Sequence, residues 1–339
     1  MRSSPATVDT AAPRVSVVLP VLNEQDCIAE ALARLQDQTW HDLEILVADG
    51  GSTDATRSIV AAVGLVDPRV RLVDNPRRLQ SAGLNETLRA ARGQVLVRVD
   101  GHSFVERDYV ERCVELLEET GAAVVGGRMV AQPGDTAVGR GVALANEASW
   151  GAGPARFHRE AAAGPAETVY LGTFRRSVVE RVGGWAEDVG VNEDYELNHR
   201  IRAAGETVWF DPALSVGYRP RASLRAVAVQ YFRYGRSKAT VMRRHPDSVR
   251  ARQVVPTLFV PLAAIAVVPG PLRILARVVL GAHAAVVVGA ASRTDASLPV
   301  RACGAGAAWV MHWAWSAGFW FGLAAPFRPA AQYQTRPPS

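Results

Sequence analysis

The sequence predicts an α/β protein: a mostly parallel sheet flanked by helices, followed by a C-terminal helical membrane region. Two observations lead there. In the first hundred residues, short apolar runs alternate with stretches of helical period, joined by short connections. Alternation of that kind argues for a parallel sheet covered on both faces. Charge then vanishes near the C-terminus: none between Gln253 and Leu272, only Arg277 between Ile274 and Ser292, none between Ala302 and Phe327.

The elements follow in order. Residues 14–20 (RVSVVLP) read as a strand, and 24–38 as a helix with Ile28, Leu32 and Leu35 on one side. Residues 43–50 (LEILVADG) are a strand, followed by a helix from Asp54 to Gly64. A short strand at 70–75, a helix at 81–93 closed by Gly93, and a strand at 94–100 (QVLVRVD) complete the regular part. A helix at 106–119 leads to a strand in AAVVGGRMVA. The Gly/Ala-rich stretch 133–166 carries weak signals and reads as a loop or surface helix. Then come TVYLGTF, RSVVERVGGW, NEDYELNHRIRAAG and TVWFDP.

Between 219 and 244 the chain holds seven arginines and Lys238, its only lysine, with no acid; Tyr231, Phe232 and Tyr234 lie among them. The last apolar stretch carries Trp309, Trp313, Trp315 and Trp320, with aromatic residues near its ends as at membrane interfaces. Two full spans are expected. Pro256, Pro261, Pro269 and Pro271 make the first apolar stretch a candidate re-entrant hairpin. The resulting division is a tail at 1–13, an α/β domain at 14–245, two or three membrane-associated helices at 246–327 and a tail at 328–339. The N-terminal tail has no apolar core of signal-peptide length, which predicts that the α/β domain stays in the cytoplasm.

Net charge is +5 and the pI about 9.4. No nucleic-acid recognition motif accompanies the basic stretch, so nucleic acid is not expected as a partner. Cys27, Cys113 and Cys303 are widely spaced and odd in number, giving neither zinc spacing nor a disulfide framework. No Gly-x-Gly-x-x-Gly turn follows the first strand, which argues against a dinucleotide enzyme. His158, His199, His245, His283 and His312 show no ligand spacing.

Ligands of such sheets bind beyond the carboxyl ends of the strands, which here are Pro20, Asp49, Asp74 and Asp100. Asp49 opens ADGGSTDAT, a tight turn into a helix: either a simple cap or a contact to a nucleotide. Asp100 and His102, two apart in VDGHS, suit a hard divalent ion if the backbone stays extended; an ordinary Asp-Gly turn is the alternative. Glu193 and Asp194 begin an amphipathic helix, which the helix dipole alone would favour.

Taken together, VSVVLPVLNEQDCI, VADGGSTDAT, NPRRLQSAGLNETLRAARG, VRVDGHS and LGTFRRSVVERVGGWAEDVGVNEDYELNHRIRAAG resemble family 2 glycosyltransferases, whose nucleotide-sugar-binding fold is called GT-A. The similarity covers residues 14–245. YFRYGRSKA and the apolar tail resemble the subgroup that builds bacterial exopolysaccharide on a lipid carrier, the succinoglycan glucosyltransferases among them. The resemblance implies a UDP-sugar donor, a lipid-linked saccharide acceptor, a divalent metal (Mg or Mn) and a position on the cytoplasmic side of the membrane. It implies that Pro20, Asn23 and Glu24 line the uridine pocket, that Asp49 meets the uracil, and that Asn85 lies near the nucleotide. Asp100 would hold the metal, with His102 as second ligand or as a hydrogen-bond partner of phosphate or water. Asp194 would be the general base, with Glu193 serving the acceptor or the diphosphates. Arg233 and Arg236, three apart on a helix, share one face and are candidates for contact with donor or lipid-carrier diphosphate; a solvated or membrane-surface face is the alternative. Two departures stand out: Gly50 follows Asp49 where the family often has a second acid, and His102 ends a motif that usually ends in Asp. A processive synthase is the rival chemistry, but its Gln-x-x-Arg-Trp signature is reduced here to Gln230, Arg233 and Tyr234. The rival of another class is a non-catalytic, membrane-tethered nucleotide-sugar-binding protein.

Overall fold

The computed structural model describes residues 13–325, apart from 133, 154, 159–160, 222 and 249–250. The expected tails, save Pro13, lie outside these residues, as do the last residues of the apolar region. The regular first part is β1 (Val15–Val21), α1 (Ile28–Gln36), β2 (Leu43–Asp49), α2 (Thr56–Val66), β3 (Val70–Asp74), α3 (Gln80–Ala90) and β4 (Val95–Arg98). After it come β5 (Ser103–Val105), α4 (Tyr109–Thr120), β6 (Val124–Ala131), α5 (Ala137–Glu147), β7 (Gly164–Pro165), β8 (Tyr170–Arg175), α6 (Arg176–Arg181), α7 (Glu193–Ala203) and β9 (Val208–Tyr218). The chain ends in helices: α8 (Leu224–Arg244), α9 (Ala251–Val254), α10 (Phe259–Val267), α11 (Leu272–Ser292) and α12 (Leu298–Ala324).

The sheet runs β3-β2-β1-β4-β8-β6-β9-β5, with β7 on β9. It is mixed, not mostly parallel. β1, β2, β3 and β4 pair in parallel, as do β6 and β9, whereas β8 runs antiparallel to both its neighbours and β5 and β7 run antiparallel to β9. Only the first four strands are joined by successive crossover helices of the kind parallel pairing requires. β5 follows β4 after a tight turn and leaves for the far edge.

Strand side chains alternate between two cores, as the pleat demands. Val17, Leu19, Ile45, Val47 and Val97 join α1 and α4 in one. Val18, Leu46 and Leu96 face the other, with Leu84 of α3, Phe174, Trp185 and Leu197 of α7.

The stretch expected as loop or surface helix contains α5, capped by Thr136, whose hydroxyl accepts from the Gly139 N–H at 3.0 Å. α5 packs on α12, and α12 lies along α8. This seam is made of small residues. A Cβ on Gly235 would overlap the Trp315 carbonyl, and one on Gly318 would overlap the Phe232 carbonyl. Val142, Val227, Val287, Ala307 and Met311 fill the space between α5, α8, α11 and α12.

α12 is therefore a wall of the catalytic body rather than a free-standing span. Among the described residues, α11 is the one helix long and apolar enough to cross a membrane. Its 21 residues rise about 31 Å, close to a hydrocarbon core. Leu272, Ile274, Leu275, Val278, Val286 and Val288 are exposed on it. α10 has nine residues, rises about 13 Å and turns back at Pro269–Pro271.

Candidate active site

The carboxyl ends of β1 and β2 form one wall of the site. Asn23, just past β1, adopts φ +55°, a left-handed conformation that asparagine tolerates. Its backbone N–H donates to Ser52 Oγ at 2.9 Å, and its side-chain oxygen accepts from the Thr53 N–H at 2.8 Å. The Glu24 N–H donates to Thr56 Oγ1 at 2.8 Å. The loop after β1 is thus tied to the loop after β2. Pro20 is buried in β1 opposite Ala48. The buried Asp49 carboxylate accepts from the Ser52 N–H at 3.1 Å and pairs with Arg57 at 3.4 Å.

Asn85, expected near the nucleotide, lies inside the fold with its amide engaged. It is fully buried, and its amide donates to Trp185 O at 2.8 Å and Glu187 Oε1 at 2.9 Å while accepting from the Trp185 N–H at 2.9 Å. Its polar atoms hold the turn that precedes α7, so it acts through that turn.

The centre of the site is a residue absent from the expected set, Arg98. Its guanidinium is 3% exposed and binds three carboxylates: Asp100 at 3.1 Å, Glu193 at 3.1 Å and Asp194 in close contact. Arg98 and Asp100 share a face because the backbone stays extended through Val99, whose N–H donates to Val18 O at 3.1 Å. Glu193 and Asp194 arrive on the first turn of α7, joined to α8 by Asn192, which donates to Tyr234 O at 3.0 Å. Gly101 lets Glu24 close over this cluster: a Cβ there would stand 3.1 Å from Glu24 Cγ. His102 Nδ1 lies 2.9 Å from Glu24 Oε1. Burial opposes protonation of His102, but Glu24 and Asp100 outweigh it and hold its pKa above the ordinary histidine value.

Burial raises the pKa of both Glu193 and Asp194; Arg98 pulls each down without cancelling the effect, and neighbouring carboxylates add to the rise. Three carboxylates around one guanidinium leave an excess of negative charge, which a divalent cation would neutralise. Glu193 Oε2 is also buried without a hydrogen-bond partner among the described residues. The donor set fits a divalent ion.

A cavity of about 1030 Å³ opens from this cluster. Arg98, Asp100, His102, Glu193 and Asp194 line it, together with Arg221, Arg225 and Arg233 and with the apolar Pro256, Phe259, Val286 and Val287. Arg233 lines the cavity; Arg236 does not, and its guanidinium sits 5.6 Å from the Phe321 ring of α12. Spacing on one helix suggested a shared face, but α12 claims that of Arg236. Lys238 is buried, with Nζ 3.6 Å from the Tyr195 ring centroid.

An acidic cluster with a cavity beyond the strand ends is where sheets of this kind bind their ligands. The model of the family named glycosyl transferase family 2 matches residues 16–183. The chain belongs to glycosyl transferase family 2 and is a glycosyltransferase. It is 36% identical over 315 residues to the succinoglycan biosynthesis protein ExoA of Rhizobium meliloti (strain 1021), covering 90% of this chain and 93% of that protein. It is 23% identical over 240 residues to the dolichyl N-acetyl-α-D-glucosaminyl phosphate 3-β-D-2,3-diacetamido-2,3-dideoxy-β-D-glucuronosyltransferase of Methanococcus voltae, covering 68% and 74%. The mannosyltransferase PcManGT from Pyrobaculum calidifontis, solved with GDP-Man and Mn2+, superposes with a TM-score of 0.63 at 23% identity, over 93% of this chain and 88% of that one. The fold is GT-A.

Proposed function

We propose that the protein is an inverting transferase that moves one sugar from a UDP-sugar to a lipid-linked saccharide at the cytoplasmic face of the membrane, in exopolysaccharide or cell-envelope glycan synthesis. The observation that carries this reading is one cavity lined by acidic, cationic and apolar side chains together. A saccharide joined to a lipid through a diphosphate offers a hydroxyl, a charged diphosphate and an apolar chain to match them. Two relatives' names point the same way, one to succinoglycan biosynthesis and one to a dolichyl-phosphate-linked sugar.

In this reading Pro20, Asn23, Glu24 and Asp49 bind the uridine. Asp100, with His102 as second ligand or as a hydrogen-bond partner of phosphate or water, would hold Mg or Mn, which when bound neutralises charge on the departing diphosphate. Asp194 takes the proton of the acceptor hydroxyl. The acceptor oxygen bonds to the anomeric carbon from the face opposite the diphosphate, the carbon–oxygen bond to that diphosphate breaks, and UDP leaves with the electron pair. Configuration at the carbon inverts. Arg98 keeps the metal-side and base-side carboxylates in one constellation, and Arg221, Arg225 and Arg233 stabilise diphosphate charge. A raised pKa suits Asp194 to accepting a proton.

The test is nucleoside-diphosphate release by the detergent-solubilised chain from a panel of UDP- and GDP-sugars, with Mg or Mn, with and without membrane lipid extract. The expected result is lipid-stimulated release from one UDP-sugar, lost in Asp194→Asn. Release from GDP-sugars alone would refute the uridine assignment, and release indifferent to lipid would refute the acceptor.

A further inference from the structure

His199, His245 and Asp247 lie apart from the residues assigned to catalysis, where α7 meets the carboxyl end of α8. One potential ligand atom from each lies within 4.8 Å of those of the other two. The imidazole centroids are 4.6 Å apart, and His199 Nε2 is 3.4 Å from Asp247 Oδ2. Two ligand atoms, each about 2.0–2.1 Å from a tetrahedral zinc ion, stand about 3.4 Å apart. The His199–Asp247 pair already has that separation.

We propose that His199, His245 and Asp247 form a second metal site, for a tetrahedral transition-metal ion such as zinc, with water as the fourth ligand. The surroundings fit. His245 Nε2 lies 2.9 Å from Oε1 of Glu196, a carboxylate that is 1% exposed. With Nε2–H donating to that carboxylate, Nδ1 carries the lone pair for the ion. Metal-bound histidines are commonly oriented by such a carboxylate. Of the nearby cations, Arg200 pairs with Glu196 at 2.7 Å and Arg244 pairs with Asp188, while Arg202 donates to the backbone Glu167 O at 3.1 Å and keeps its charge near His199. Imidazole and a single carboxylate select a borderline ion over the oxygen-loving Mg or Mn of the catalytic cleft.

Such an ion would brace the base-bearing helix. α7 begins with Glu193 and Asp194, and His199 follows on the next turns. Asp247 belongs to the 3-10 turn Pro246–Ser248 that starts the path to the C-terminal helices. Tyr195 already ties the two with a hydrogen bond to Ser248 O at 2.7 Å. The ion would make that joint rigid.

Cobalt(II) is the probe, because tetrahedral sites with imidazole ligands absorb visible light far more strongly than octahedral oxygen sites. Chelator-treated full chain in detergent is titrated with Co2+ and then with Zn2+. The expected result is one equivalent of intense visible absorption, displaced by Zn2+. It is abolished in His199→Gln and His245→Gln, weakened in affinity at least about tenfold in Asp247→Asn, and kept in Asp100→Asn. Asp247 is exposed, so its variant tests the site without risk to folding. No strong band in the wild type, a band of unchanged affinity in Asp247→Asn, or a band lost in Asp100→Asn would each overturn the proposal.

Discussion

At the residue scale the chemistry gathers on Arg98. One buried guanidinium ties the carboxylate proposed to hold the metal, Asp100, to the proposed base, Asp194. Arg98→Met leaves the buried carboxylates without their counterion and should cost about 3–5 kcal/mol at neutral pH. Chemical denaturation should show this loss, and Mn2+ should restore more stability to the variant than to the wild type. Asp194→Asn should lower kcat about 10²–10⁴-fold with little change in donor affinity; an unchanged kcat would remove Asp194 as base. Its raised pKa sets the pH dependence. The active form is the deprotonated one, so kcat is full above that pKa and falls as pH drops through it, at a higher pH than an ordinary aspartate near 3.9 would give. A pH–rate profile flat down to about 4 would contradict this. The acids at the strand ends were legible because each ends or follows an apolar run. Arg98 was not, because in a chain whose cations are nearly all arginine a single guanidinium carries little signal. The available clue was a charge inside an apolar strand run, two residues before Asp100. The sequence around Asn85 does not reveal that Trp185 and Glu187 occupy its amide.

At the element scale the first three strand–helix units were readable because period two and period 3.6 alternate there without interruption. The reading failed where partners decide structure. α5 and α12 are rich in Gly and Ala, so no strong apolar stripe marks which face is buried; the close approach of backbones explains the small residues. The same property hid α12's role, since an apolar helix packed against α8 and one in lipid share a composition. Gly235→Leu is the direct probe. Its side chain would enter the space of the Trp315 backbone, forcing α12 off α8. The expected effect is a loss of at least about 2 kcal/mol, read as a lower melting temperature. An unchanged melting temperature would mean that α12 does not dock on α8.

At the scale of the whole molecule, the catalytic body and the apolar helices share one cavity. α12 and α5 belong with the GT-A body by packing, so removing everything after residue 253 would strip a wall from the site. α11 is the element to change. Replacing Ile274, Leu275, Val278 and Val288 with Ser or Gln should shift the chain from the membrane pellet toward the supernatant, because these side chains are exposed. A wild-type chain already in the supernatant would contradict the membrane reading. In the proposed reading the acceptor's lipid lies against the apolar lining of the cavity, Phe259 and Val287 among it, while its sugar meets Asp194. The measurement that tests it most directly compares kcat/KM for two synthetic acceptors carrying the same sugar diphosphate, one on a long polyprenyl chain and one on a methyl group, in the same detergent. The account predicts a preference for the long chain of at least about tenfold, arising in KM and diminished when Phe259 and Val287 are replaced by Ser. Equal kcat/KM for the two acceptors would contradict it.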